Sequence, residues 1–125
     1  MKTMASAASG MAVQTTRLRL SAENMANADT PGFKRKIVSF VDAMSQEGAR
    51  LVRVDRLSLD QKAGDQVYDP SHPLADAEGL VTGSNIDLVV EMADAREAQR
   101  SYEANLRMYD QARQMSASLI ELLRR

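Results

Sequence analysis

Cysteine is absent from the 125 residues, which excludes disulfide staples, thiolate zinc sites and cysteine nucleophiles and leaves the redox compartment open. Aromatics make up only 4% of the chain, which suits close helix packing better than a sandwich. The one histidine, His72, lies between Ser71 and Pro73 with Asp69 and Asp76 as its only acidic neighbours in sequence. A metal or catalytic histidine needs partners at set spacings, and none are there. The formal net charge is −1, so no overall field favours nucleic acid or an anionic membrane. No apolar run approaches the roughly 20 residues of a membrane span. No glycine loop is suited to cradling phosphate, and no carboxylate pair has an evident shared cleft. The chain therefore offers no constellation for a reaction, and no enzyme, cofactor, metal or small-molecule substrate is expected.

The chain is instead rich in alanine and has eight methionines, small and flexible side chains that suit close helix packing. From Met4 to Met25 a seam repeats in alternating fours and threes: Met4, Ala8, Met11, Thr15, Leu18, Ala22, Met25. Val13 and Leu20 fall on the other side, so this helix expects neighbours on two faces. Its first residues, from Lys2 to Val13, superficially match a secretory signal. Ser6, Ser9 and Gly10 break the apolar run, however, and the pattern continues as helix, so no cleaved signal is expected.

Thr30-Pro31-Gly32-Phe33 stops that helix. Proline sets φ near −65° and glycine takes a positive φ, the pattern of a type II turn, and Thr30 before proline is pushed out of the helical region. Asn24 and Asn27 carry amides able to bridge to a neighbour or cap loose carbonyls. Beyond the turn, Lys34-Arg35-Lys36 leads into a strand at Ile37–Val41, with Ile37, Ser39 and Val41 on one side and Val38 and Phe40 on the other. Ala43 to Gly48 reads as a loop and Leu51 to Leu59 as a second extended run. The basic triplet lacks interleaved aromatics and reads as a solvated or interface patch, not as a nucleic-acid site. Residues 66–81, with two prolines and Gly79, read as extended and turn-rich.

Ser84 and Asp87 form a capping box at the head of a last helix, and Asp87, Glu91 and Asp94 place negative charge at its positive end. The seam here runs Leu88, Met92, Ala95, Gln99, Tyr102, Leu106, Tyr109, then slips to Ala112, Met115, Leu119, Leu122. Glu103–Arg107 and Glu121–Arg125 are spaced as helical ion pairs. Leu119, Ile120, Leu122 and Leu123 cover so much of the circumference that several helices are needed to bury them. The expected fold is mainly α with a small β part. Helices over 1–30 and 84–125 pair as an antiparallel coiled coil, and 31–83 forms a short β-rich and extended outer insert. On these grounds alone a cytosolic coiled-coil adaptor fits as well as a structural subunit.

Specific residues carry a resemblance. Asn24-Met25-Ala26-Asn27-Ala28-Asp29-Thr30-Pro31-Gly32-Phe33-Lys34-Arg35 resembles the N-terminal signature of the bacterial flagellar rod, hook and hook-associated family. Met25 stands where Leu or Ile is usual and Phe33 where Tyr is usual, which removes one hydroxyl. The order Tyr68-x-Pro70-x-His72-Pro73-x-Ala75-Asp76-x-x-Gly79-x-Val81, followed by Asn85-Ile86-Asp87-Leu88-Val89 and Glu91-Met92, resembles the proximal-rod branch. Residues Ala98 to Asn105 resemble the family's C-terminal signature.

The resemblance implies a structural subunit of the basal-body rod, exported through the flagellum-specific apparatus without signal cleavage and assembled in the periplasm. A different axial subunit of the rod and hook family is the nearest alternative. The implied partners are other rod subunits, the basal ring and the export gate. The assembly interface expected on the first helix is Met4, Met11, Leu18, Asn24, Met25 and Asn27. On the last helix it is Met92, Gln99, Tyr102, Asn105, Leu106, Tyr109, Leu119, Ile120, Leu122 and Leu123. Thr30, Pro31, Gly32 and Phe33 set the angle between helix and outer part.

Overall fold

The computed structural model describes residues 2–125. Helix α1 spans Lys2–Ala26, and strands β1 (Lys36–Met44) and β2 (Arg50–Leu59) follow as an antiparallel pair. The short strands β3 (Gln66–Tyr68) and β4 (Leu80–Thr82) form a second antiparallel pair. Helix α2, Leu88–Leu123, closes the chain. The architecture is mainly helical with a small β part.

Three contacts place the helices. Asn24 bonds Glu91, Arg17 lies 3.8 Å from Glu97, and Gly10 abuts Asn105. Position falls along one helix as it rises along the other, so α1 and α2 run antiparallel. At 1.5 Å per residue, α1 is roughly 37 Å long and α2 roughly 54 Å. The same register brings the start of α1 level with about residue 113 of α2. Some ten residues of α2, roughly 15 Å, therefore extend past α1.

The β1–β2 hairpin lies along α1. Its base meets α1 through Lys36 and Asn24, and the Val52 amide donates to Ser9 Oγ at 3.1 Å near the middle. At its tip, Gly48 approaches the Lys2 side chain. The buried residues of α1 are Ala7, Gly10, Val13, Leu20, Ser21 and Asn24, turned toward α2 and the hairpin.

This corrects the expected seam. Ala8, Thr15 and Ala22 are exposed, and Met4, Met11, Leu18 and Met25 are only half-buried. On α2, Glu91 and Ala98 are buried, while Met92 and Leu106 are 49% and 41% exposed and Gln99 is also exposed. The reason is size. A β-carbon at Gly10 would lie 2.7–2.8 Å from the Asn105 amide, so the helices meet where side chains are smallest. Val13 and Leu20 are buried with these small residues, while the large seam residues are left half-buried or exposed. The repeating seam therefore marks a face that packs less closely than the one carrying Ala7, Gly10, Val13 and Leu20.

Other corrections are local. The N-cap of α2 is Asp87, which accepts from the Val89 amide at 3.0 Å, while the Ser84 hydroxyl donates to the Ala28 carbonyl at 2.5 Å. Ser84 thus ties the two helix ends together and leaves the cap to the residue directly before the first turn. Neither Glu103–Arg107 nor Glu121–Arg125 closes; among the described residues of α2 the internal ion pair is Arg113–Asp110. Ala43 and Met44 belong to β1, and the turn is confined to 45–49, where Ser45 and Ala49 exchange hydrogen bonds.

β1 and β2 do not simply alternate. Ser39 pairs with Arg56 but Phe40 pairs with Val54, so Asp55 is an extra residue in β2. This bulge shifts the phase of the strand. Val54 and Leu57, on opposite faces of a regular strand, come to the same face, together with Val38 and Phe40.

Candidate functional site

The chain leaves α1 through the turn at 30–33. The Phe33 amide donates to the Thr30 carbonyl at 3.2 Å, and Gly32 has a φ of 74°. With Pro31 confined to negative φ, this is a type II turn. The Asn27 side chain caps the Glu23 carbonyl at 2.8 Å and receives the Thr30 hydroxyl at 3.1 Å, stiffening the exit. The Gly32 amide donates to the Thr82 carbonyl, which joins the turn to β4.

Two asparagines then grip the outgoing backbone. Asn24 accepts from the Lys36 amide and donates to the Lys36 carbonyl, both at 3.0 Å, as a neighbouring strand would. Asn85 accepts from the Arg35 amide at 2.6 Å and donates to the carbonyls of Asp60 and Lys62. Between them Arg35 reaches across to α2 and bonds both Glu91 and Asp94. Glu91 also receives Asn24 at 3.3 Å, and Lys36 pairs with Glu23 at 3.0 Å.

Partial burial opposes the charge on Arg35. The hydrogen bond with Glu91 and the charges of Glu91, Asp94 and Asp60 outweigh that, and the guanidinium pKa is held above its ordinary value. Asn24 and Glu91 are each 1% exposed, and every buried side-chain nitrogen and oxygen among the described residues has a partner. The result is a rigid joint where α1, α2 and the hairpin meet.

Asn24 is therefore not available as a surface contact: its amide is fully used inside the chain. Asn105 is half-buried against Gly10 and donates to the Ser101 carbonyl. Tyr102 and Tyr109 are half-buried as well. The Arg35–Glu91 pair was legible in sequence only as two unrelated charges, a basic run after the turn and an acid in a first helical turn. No local signal connects residues 56 positions apart.

The far end of α2 is the opposite case. Leu119, Ile120, Leu122 and Leu123 are 60%, 55%, 64% and 86% exposed, with Met108 and Met115 beside them at 53% and 61%. Thr3 of α1 reaches a shallow groove there lined by Met108, Ala112, Met115 and Leu119. His72 uses Nδ1 to accept the Leu74 amide at 3.0 Å, a loop-stiffening role. Among the described residues no three histidine or acidic side chains converge as a metal requires, and no helix is long and apolar enough to cross a membrane.

Two family models match the chain. Residues 4–34 match the flagella basal body rod protein family, and residues 77–122 match the C-terminal region of the flagellar basal body rod FlgEFG proteins. The flagellar basal-body rod protein FlgC of Agrobacterium fabrum is 44% identical over 94% of this chain and 91% of its own length. The chain belongs to the FlgC family of flagellar basal-body rod proteins. FlgC of Salmonella typhimurium is 35% identical over 93% of this chain and 92% of its own length, and FlgC of Bacillus subtilis is 30% identical over 92% of both. As a FlgC-family member the chain is a structural subunit of the basal-body rod, and the joint and the bare helix end are to be read as parts of an assembling protein.

Proposed function

We propose that this rod subunit joins its neighbours through its terminal helices. Helices α1 and α2 form an inner antiparallel coiled-coil layer of a tube, with the β hairpins between them outside, and the tube serves as drive shaft and export channel. The contacts to other subunits are made by the outward side chains Met4, Met11, Leu18 and Met25 on α1 and Met92, Leu106, Leu119, Ile120, Leu122 and Leu123 on α2. Export from the cytoplasm proceeds without signal cleavage, and the subunit takes its place in the periplasm among other rod subunits, near the basal ring and export gate.

The observation that carries this reading is the overhang of α2. Each of its four large aliphatic residues stands to gain about 1.5–3 kcal/mol on full burial, and among the described residues all four remain more than half exposed. One neighbouring helix covers only one side of such an end, so more than one subunit is needed. Changing Ile120 and Leu123 together to Ser should leave the joint folded and the subunit exported, but bar it from isolated basal bodies. Incorporation at the wild-type level would show that the helix end is not an intersubunit contact.

A further inference from the structure

The bulge at Asp55 has a second effect, on charge. In an unbroken strand Arg53 and Arg56 would point to opposite faces. The observed register pairs them with Val41 and Ser39, which share one face of β1, so both arginines stand on that face. Both are exposed, and neither forms an ion pair among the described residues. The surrounding stretch, 34–62, holds seven basic and four acidic side chains. Residues 63–83 hold four acidic side chains, Asp65, Asp69, Asp76 and Glu78, and neither lysine nor arginine.

The acidic stretch is tied together by its own hydrogen bonds. Its ends are paired as β3 and β4, and Asp76 accepts from the amides of Glu78 and Leu80 at 2.9 Å. Asp69 accepts the Ser71 hydroxyl, while the carboxylates of Asp65 and Glu78 have no partner among the described hydrogen bonds and ion pairs.

The two surfaces lie at different levels along the chain, and no ion pair joins them among the described residues. Val52, next to Arg53, lies level with Ser9, whereas the acidic stretch shares a groove with Ala28, Asp29 and Pro31 beyond the other end of α1. About 17 residues of helix separate these levels, roughly 25 Å. Arg56, paired with Ser39 and four residues beyond Val52 toward the hairpin base, stands roughly 12 Å away, still outside the roughly 8 Å over which charge is felt at physiological salt. Complementary surfaces displaced along one axis suit a contact between successive copies. Such head-to-tail contacts build helical assemblies.

We propose that the Arg53–Arg56 face of the hairpin docks on the acidic 63–83 stretch of a second copy of this chain. The proposal rests on the rod-subunit reading and adds a specific polar contact to the apolar one at the helix ends. Opposed charges at such a rim fix register and exclude wrong partners more than they add affinity.

The test is complementation of a strain lacking its own copy of the gene, scored by the yield of basal bodies. Arg53→Glu with Arg56→Glu should lower the yield roughly tenfold, and Asp65→Lys with Glu78→Lys should do the same, since like charges then face one another. All four changes together should restore most of it. Because the chain has no cysteine, Arg53→Cys and Glu78→Cys introduced together should allow a short thiol crosslinker to join copies within purified basal bodies. Wild-type yield in either reversal, no recovery in the combination, or no crosslinked species would each overturn the proposal. If the unaltered gene fails to restore motility, the rod reading itself fails, which is a distinct result.

Discussion

Asn24 and Glu91, at one end of the helix pair, are 1% exposed, and their polar atoms are shared among α1, α2 and β1. At the other end of α2 four aliphatic residues stand 55–86% exposed among the described residues. The joint is directional: hydrogen bonds and an ion pair permit one arrangement of three elements. The helix end is adhesive but undirected, since apolar burial has little preference for geometry. The contrast is between a joint whose polar groups are satisfied within the chain and a helix end whose apolar surface the described residues leave largely exposed, as the proposed assembly role requires. A chain built the other way round would have nothing to hold its hairpin in place and no reason to polymerise.

Breaking the joint should have the largest effect on the isolated chain. Arg35→Ala leaves the buried Glu91 carboxyl without its cation, at a cost of about 3–5 kcal/mol. Urea unfolding of the purified chain should show that loss, whereas Ile120→Ser with Leu123→Ser should shift the same curve by less than about 0.5 kcal/mol. Equal effects would erase the distinction between the two ends.

The helix contact between them should be intermediate. Gly10→Val drives a side chain into Asn105, and overpacking of this kind costs about 1–3 kcal/mol. Adding Asn105→Ala opens the space and should return much of that loss. A double mutant no better than the single one would mean that the two helices do not approach most closely here.

The turn sharpens the comparison differently, because a β-carbon at Gly32 would enter open space. No heavy atom lies within 4 Å of where its β-carbon would sit, so only the positive φ opposes substitution. Gly32→Val should cost about 1–3 kcal/mol in strain and block rod assembly while leaving export intact. Normal motility with this substitution would show that the hand-over angle is irrelevant to assembly.

Much was open to reading in one dimension. Pro31 and Gly32 permit one turn, and the period of apolar residues marks two long helices, because backbone geometry and helical pitch are properties of short stretches. The absence of cysteine and the lone histidine bear on chemistry just as directly. What lay beyond the sequence is the side of each helix that turns inward. Ala7, Gly10 and Ala98 carry too little apolar surface to stand out, yet they let the helices approach, and larger residues such as Met92 and Leu106 are left outside. The bulge at Asp55 was hidden for a related reason, since alternation counted along one strand cannot show where its partner slips. Glu91 suited a first helical turn well enough to need no further explanation until the fold set Arg35 against it. Composition and local conformation were thus determined by the sequence alone. Faces, register and the Arg35–Glu91 pair were decided by tertiary structure, because they depend on which distant residues the fold brings within a few ångströms.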